Sequence, residues 1–269
     1  MGNFFITTFG GNPFTFAAMN TLRKSLGQHF LKDENICKKI VAALQQCSFT
    51  NLLEIGPGAG ALTKYLLKIP AVNFKGVELD AEKVDYLLMN FPELKEKIVH
   101  NNFLDMDKPF NEKFTIVGNF PYNISTQILF KILEWKKDIQ CAVGMFQKEV
   151  AQRIAASEGS KVYGISSVLT QAFFNVEYLF EVSERSFQPP PKVNSAVIRL
   201  TPKNDYLTMK DEESFFLLVK TAFNQRRKTL RNAVKNLFDK ETLQQQIFDK
   251  RAEQLNVEDF ANLSFKMLP

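Results

Sequence analysis

From Leu52 onward, short apolar runs rich in β-branched and aromatic residues alternate with stretches whose apolar residues recur at helical spacing. Strands are expected at 52–55, 74–78, 98–100, 114–117, 141–145, 178–182 and 196–200. Between them, Leu62, Tyr65, Leu66 and Ile69 share a helical stripe, as do Val84, Leu87 and Leu88, and then Ile128, Ile132 and Trp135. Strand–helix alternation of this kind is the pattern of an open, mostly parallel sheet covered on both faces. The pattern therefore predicts an α/β fold with a doubly wound, mostly parallel, seven-stranded sheet of Rossmann-like type. No helical stretch separates 178–182 from 196–200, so an antiparallel edge is expected there. Ahead of the sheet, 33–46 reads as a helix with Ile36, Ile40 and Leu44 on one face and Asp33 as N-cap.

After residue 200 the pattern changes. The stretch 201–213 is polar, contains Pro202 and reads as a linker. Beyond it only helical periodicity remains, at 215–223, 229–238, 241–248 and 257–263. Three parts are expected: an extension at 1–20, an α/β domain at 21–205 and a small all-helical domain at 206–269. The extension lacks the basic start and clean apolar run of a secretory signal, and Met19 offers an alternative start. It is expected to be poorly ordered. No apolar run is long enough to cross a bilayer.

Cys37, Cys47 and Cys141 are odd in number and scattered, which is a poor disulfide framework and suits a reducing cytoplasm. His29 and His100 are the only imidazoles, and no cluster has the spacing of a zinc site, so no metal is expected. Nothing points to an obligate partner, and a monomer is expected.

Glu54-Ile55-Gly56-Pro57-Gly58-Ala59-Gly60 runs from the first sheet strand into a helix. Glycines there permit a sharp turn and let a ligand press against bare backbone, which nominates Gly56, Gly58 and Gly60 as cofactor-binding. The next strand ends at Glu78, placed to accept hydrogen bonds from the ribose hydroxyls of an adenosine-containing cofactor. A dinucleotide site needs G-x-G-x-x-G, whereas this loop is E-x-G-x-G-x-G. That is the pattern of enzymes using S-adenosyl-L-methionine, a cofactor with no pyrophosphate to cradle.

Asn119-Phe120-Pro121-Tyr122 follows the 114–117 strand at its carboxyl end, where ligands sit in such sheets. An adenine amino nitrogen is a poor nucleophile because its lone pair is delocalised into the ring. Two acceptors aimed at its hydrogens would favour a pyramidal nitrogen, and the Asn119 side-chain oxygen and Phe120 carbonyl could serve. Pro121 stiffens the turn and Tyr122 offers a flat face for a base. The net charge of +5 is mild, but Lys220, Arg226, Arg227, Lys228, Arg231 and Lys235 follow one another with no intervening acid. The expectation is phosphate contact, with Arg226, Arg227, Lys228 and Arg231 as RNA-binding residues.

The motifs resemble, in order, those of the KsgA-type ribosomal RNA adenine dimethyltransferases. The likeness runs from Lys24-Ser25-Leu26-Gly27-Gln28-His29-Phe30-Leu31 through the Glu54 loop and Val77-Glu78-Leu79-Asp80. It continues through Gly118-Asn119-Phe120-Pro121-Tyr122-Asn123, Phe187-Gln188-Pro189-Pro190-Pro191 and Asn224-Gln225-Arg226-Arg227-Lys228. The resemblance implies a class I methyltransferase fold and N6-dimethylation of two adjacent adenosines near the 3′ end of 16S rRNA. It also implies small-subunit rRNA, or a 30S-type assembly particle, as partner. It assigns Gln28, His29 and Leu31 to a segment folding over the cofactor, Gly56 and Glu78 to cofactor contacts, and Phe187 to the second face of the target base. Asn102 stands where the family usually has the Asp that meets the cofactor's adenine amino group. It can still accept through its oxygen, but without charge, so binding weaker than in an Asn102→Asp variant is expected.

Three rivals remain. The dimethyltransferases of large-subunit rRNA that confer macrolide resistance share the loop and the Asn-x-Pro-Tyr motif, but match 118–123 and the triple proline less well. A non-catalytic assembly or RNA-binding factor would not need the intact loop, Glu78, Asn119 and Tyr122. A nicotinamide-dependent dehydrogenase fails on glycine spacing.

Overall fold

The structure is a computed structural model that describes residues 29–205 and 207–268. The expected extension at 1–20, the 24–27 stretch and Gln28 lie outside the described residues. The described chain opens with β1 (Phe30–Leu31) and α1 (Glu34–Leu44). Asp33 caps α1 as expected, its carboxylate accepting from the N–H groups of Asn35 and Ile36.

The alternation then follows: β2 (Asn51–Ile55), α2 (Thr63–Leu66), β3 (Asn73–Glu78), α3 (Ala81–Asn90), β4 (Ile98–His100), β5 (Phe114–Asn119), α4 (Ser125–Glu134) and β6 (Ile139–Gln147). Two short helices, α5 (Lys148–Ile154) and α6 (Ile165–Gln171), lead to β7 (Phe174–Val182), β8 (Phe187–Gln188) and β9 (Ser195–Pro202). The seven-stranded sheet has the order β4-β3-β2-β5-β6-β9-β7. Strands β2 to β6 pair parallel, whereas β9 runs antiparallel between β6 and β7. Every residue of β2 is buried, as both faces of a parallel sheet demand. On one face Leu52, Val117 and Val143 pack with Ile40 and Leu44 of α1. On the other, Leu53, Ile116 and Phe146 join a larger apolar cluster.

That cluster also takes in the C-terminal helices α7 (Glu212–Asn224), α8 (Leu230–Ala233) and α9 (Val257–Ser264) through Phe215, Leu230 and Phe260. The expected helices at 229–238 and 241–248 are not continuous. The first is the single turn of α8, and the second breaks into 3₁₀ turns at Thr242–Gln244 and Gln246–Asp249. Tertiary contacts compete with the helix here: Arg231 Nε donates to the Leu243 carbonyl, which an α-helix would offer to Ile247. The expected linker is partly tied down, because Lys210 N–H donates to Ser264 Oγ.

Helix α6 was not foreseen. Ser166 through Thr170 are all buried, so it carries no polar face to betray its period. The cysteines also depart from expectation. Cys47 and Cys141 are joined as a disulfide, while Cys37 is free and buried. Their 94-residue separation hid a pairing that the fold creates by setting the end of α1 against β6. Among the described residues, no helix is long and apolar enough to cross a membrane.

Candidate active site

The chain runs from β2 outward to β3 and β4, then returns to place β5 on the other side of β2. Such a reversal opens a crevice at the carboxyl ends of the two central strands. The pairing Glu54↔Val117 sets their register, and two residues beyond each partner come Gly56 and Asn119. The cofactor loop and the Asn-Phe-Pro-Tyr turn thus meet because of strand order, although about sixty residues separate them in the chain.

The crevice is an open cleft of about 680 Å³, walled by His29, Phe30, Leu31, Glu54, Gly56, Gly58, Glu78 and Asn119–Tyr122. Gly56, with φ of +65°, has open space where a Cβ would be, so a ligand can approach its backbone. Gly60 is different. It does not line the cleft; at φ +80°, an added Cβ would fall 2.5 Å from the Phe91 ring. Its positive φ and the Phe91 ring against it suit a place in the turn and its packing.

Glu78 closes the loop geometry. Its carboxylate accepts from the N–H groups of Gly58 (2.9 Å), Leu79 (3.0 Å) and Asp80 (3.1 Å). A carboxylate offers about four lone-pair positions, so roughly one remains for a ribose hydroxyl. Glu54 lies deeper. It is 1% exposed and accepts from Thr63 Oγ1 at 2.7 Å. Burial pushes its carboxyl up to about 8, opposed by the Thr63 bond and reinforced by the charge of Glu78.

The chain upstream of α1 straps across this cleft. Phe30 pairs with Gln188 and Leu31 with Phe187, while His29 Nδ1 lies 2.9 Å from the Pro189 carbonyl. Asn119 Nδ2 donates to the His29 carbonyl at 3.0 Å. Since a carbonyl only accepts, the amide nitrogen must face His29, and Oδ1 is the end left to accept. Tyr122 is held by a hydrogen bond between its hydroxyl and Ser195 Oγ at the start of β9. Burial raises its phenol above the usual range, against the Ser195 bond. Its ring lies 5.4 Å from that of His29. The Phe120 side chain is core, edge-on to Phe146, so only its backbone is available for chemistry.

One expected placement changes. Phe187 is 1% exposed and packs beneath the strap with Leu31 and Val197, so it presents no second face to a base in the cleft. Of the basic residues, Arg226 donates to the Lys161 carbonyl (2.6 Å) and pairs with Glu253, while Arg231 pairs with Asp249. Arg227 and Lys228 are exposed, and neither has an ion pair or side-chain hydrogen bond among the described residues. Lys83 was missed altogether. It is 2% exposed, lines the cleft, pairs with Asp80 at 3.2 Å and sits 5.2 Å above the Phe30 ring. Its place in the α3 pattern carried no signal.

A second, open pocket adjoins the first, sharing Gly56, Glu78 and Pro121 with it. Ile55, Val77, Phe103, Leu104 and Ile124 make it largely apolar, and Asn101, Asn102 and Asn123 give it a polar edge. A flat heteroaromatic ring suits such a slot. Together the two spaces fit an adenosine joined to an amino-acid arm, with the acceptor turn standing beside the junction.

A profile of the ribosomal RNA adenine dimethylase family matches residues 19–267. The ribosomal RNA small subunit methyltransferase A of Flavobacterium johnsoniae is 54% identical over 249 residues, covering 91% of this chain and 95% of that protein. Among solved structures, a dimethyladenosine transferase from Plasmodium falciparum aligns with a TM-score of 0.73 at 26% identity, over 89% of this chain and 99% of its own. The 23S rRNA methyltransferase ErmE aligns with a TM-score of 0.66 at 23% identity, over 87% and 99%, a likeness of fold.

Proposed function

Because this chain belongs to the ribosomal RNA adenine dimethylase family, we propose that it dimethylates N6 of two adjacent adenosines near the 3′ end of small-subunit ribosomal RNA. It is an S-adenosyl-L-methionine-dependent enzyme. When bound, that cofactor supplies a methyl group already activated by its positive sulfur. The glycine turn at Gly56 and Gly58, the Glu78 carboxylate and the slot edged by Asn102 fit it.

The rest falls to the chain's own residues. Asn119 Oδ1 and the Phe120 carbonyl accept from the two hydrogens of the target amine, which localises the nitrogen lone pair. Tyr122, uncharged and pinned by Ser195, gives the flipped base a face to stack on. No residue needs to take the proton before attack. As the N–C bond formed, the carbon–sulfur bond would break to leave a neutral thioether, and the positively charged methylated amine would then readily lose its proton to water. The strap through His29 and Leu31 covers the cleft and limits solvent beside the reacting atoms. Arg227 and Lys228 hold RNA phosphates, while Arg226 and Arg231 brace the loop that carries them.

One observation carries the reading: the Asn119 amide is oriented by a backbone carbonyl at the mouth of the cleft. The relatives' names support small-subunit over large-subunit ribosomal RNA as substrate. We propose further that it is met as a 30S-type particle, in the cytoplasm, by a monomeric enzyme. Isolated small and large subunits from cells lacking the gene, offered with labelled cofactor, test this. Label is expected as N6,N6-dimethyladenosine in the small subunit, and label confined to the large subunit would overturn the assignment.

A further inference from the structure

Position 102 offers an amide where a carboxylate was expected, and its surroundings leave that amide one orientation. Leu104 N–H can only donate, so the atom 3.1 Å from it is Asn102 Oδ1. The Asp105 carboxylate accepts from Nδ2 at 2.6 Å. Both contacts demand the same placement of oxygen and nitrogen. Asn102 borders the slot, whereas Asp105 stands outside it and is exposed.

We infer that Asp105 is a positioning residue for the adenine of the cofactor, acting through Asn102. It holds the amide with Oδ1 as the acceptor end. Its charge-assisted bond to the NH₂ group also draws electron density onto that oxygen, restoring part of the acceptor strength an aspartate would have. This rests on the reading that the cleft takes S-adenosyl-L-methionine.

The consequence reverses the expectation for Asn102→Asp. That change would set two carboxylates within hydrogen-bonding distance of each other, where like charges oppose both ionising. Removing Asp105 should therefore weaken cofactor binding when residue 102 is Asn and not when it is Asp. An ordinary structural contribution of Asp105 would not change sign with its neighbour.

Calorimetric titration of S-adenosylhomocysteine into wild type, Asp105→Ala, Asn102→Asp and the double variant tests this. A parallel titration with S-inosylhomocysteine probes the ring edge, since its 6-oxo group accepts where the 6-amino group donates. Asp105→Ala is expected to weaken adenosyl binding by about three- to tenfold. It should also narrow the preference for adenosyl over inosyl ligand, because the freed amide can present its NH₂. In the Asn102→Asp background the same change should not weaken binding. Asp105→Asn, which keeps the size and loses the charge, should fall between. Equal losses in both backgrounds, or an unchanged adenosyl–inosyl preference, would overturn the inference. Failure of the wild type to bind S-adenosylhomocysteine would instead overturn the cofactor reading, and this inference with it.

Discussion

The amide of Asn119, at the end of β5, donates to the main-chain carbonyl of His29, ninety residues earlier. His29 is fixed in turn by its ring contact with the Pro189 carbonyl and by the pairing of Phe30–Leu31 with Phe187–Gln188. The acceptor turn, the strap and the proline-rich loop therefore form one connected unit. What covers the cleft also aims its central side chain.

Asn119→Ala should lower methyl transfer by about a hundredfold or more, the scale seen when one preorganised polar group is removed from an active site. S-adenosylhomocysteine affinity should move by less than about tenfold. Asn119→Asp should weaken S-adenosylhomocysteine binding more than Asn119→Ala does: both lose the donor to His29, but only a carboxylate repels that carbonyl oxygen and pushes the strap away. Single-turnover rates beside binding isotherms separate the two. An Asn119→Ala enzyme within a few-fold of wild-type turnover would remove the proposed acceptor.

Glu54 makes stability depend on pH in a definite direction. Its folded carboxyl lies near 8, against an ordinary 4.5. Below the lower value both states are protonated, and its stabilising proton is fully in place. Between the two, the folded chain keeps a proton that the unfolded chain gives up, so stability falls as pH rises through the window. Glu54→Gln removes this slope. The stability advantage of the variant should grow by on the order of a few kcal/mol from about pH 5 to 8 and then level off. Denaturant melts at several pH values would show it, and parallel profiles would contradict it.

A methyl group at Gly144 would fall 2.3 Å from the Phe120 ring, and one at Gly118 would fall 2.6 Å from the Ile55 carbonyl. Gly144→Ala should cost about 1–3 kcal/mol through overpacking. It should also reduce turnover where the protein is still folded, since Phe120 carries the proposed acceptor carbonyl. Pairing it with Phe120→Leu should recover stability. Additive losses in urea melts would argue against that steric coupling.

The arginines should divide into two behaviours. Changing Arg227 and Lys228 together to Gln should reduce the salt slope of rRNA binding by about 1–2 and leave the melting temperature alone. Arg226→Gln should lower the melting temperature, because it strands the Lys161 carbonyl and Glu253. An unchanged salt slope in the double variant would mean that this face is only solvated.

The sheet, the glycine turn and the Asn-Phe-Pro-Tyr turn were legible in the sequence because each follows from local chemistry. Buried strands show as apolar runs, as in β2, and Asp33 marks the start of α1 through its own hydrogen bonds. Glu78 stood at the correct strand end because the first crossover fixes its distance from Gly56. The C-terminal helices were overcalled for the same reason: periodicity at 229–248 speaks of a helix, and nothing local announces that Arg231 will take the Leu243 carbonyl.

Residue order alone thus marked the strands of the large sheet, the glycine turn after β2 and the polar groups offered at Asn119. Only the tertiary structure settled which groups face which. It turned Phe187 into the core, joined Cys47 to Cys141, bound Arg226 and Arg231 to the fold and set Asp105 against Asn102. The physical reason is range. Backbone preference and hydrophobic period act over a few residues, whereas the direction of a side chain is decided by whichever distant segment packs against it.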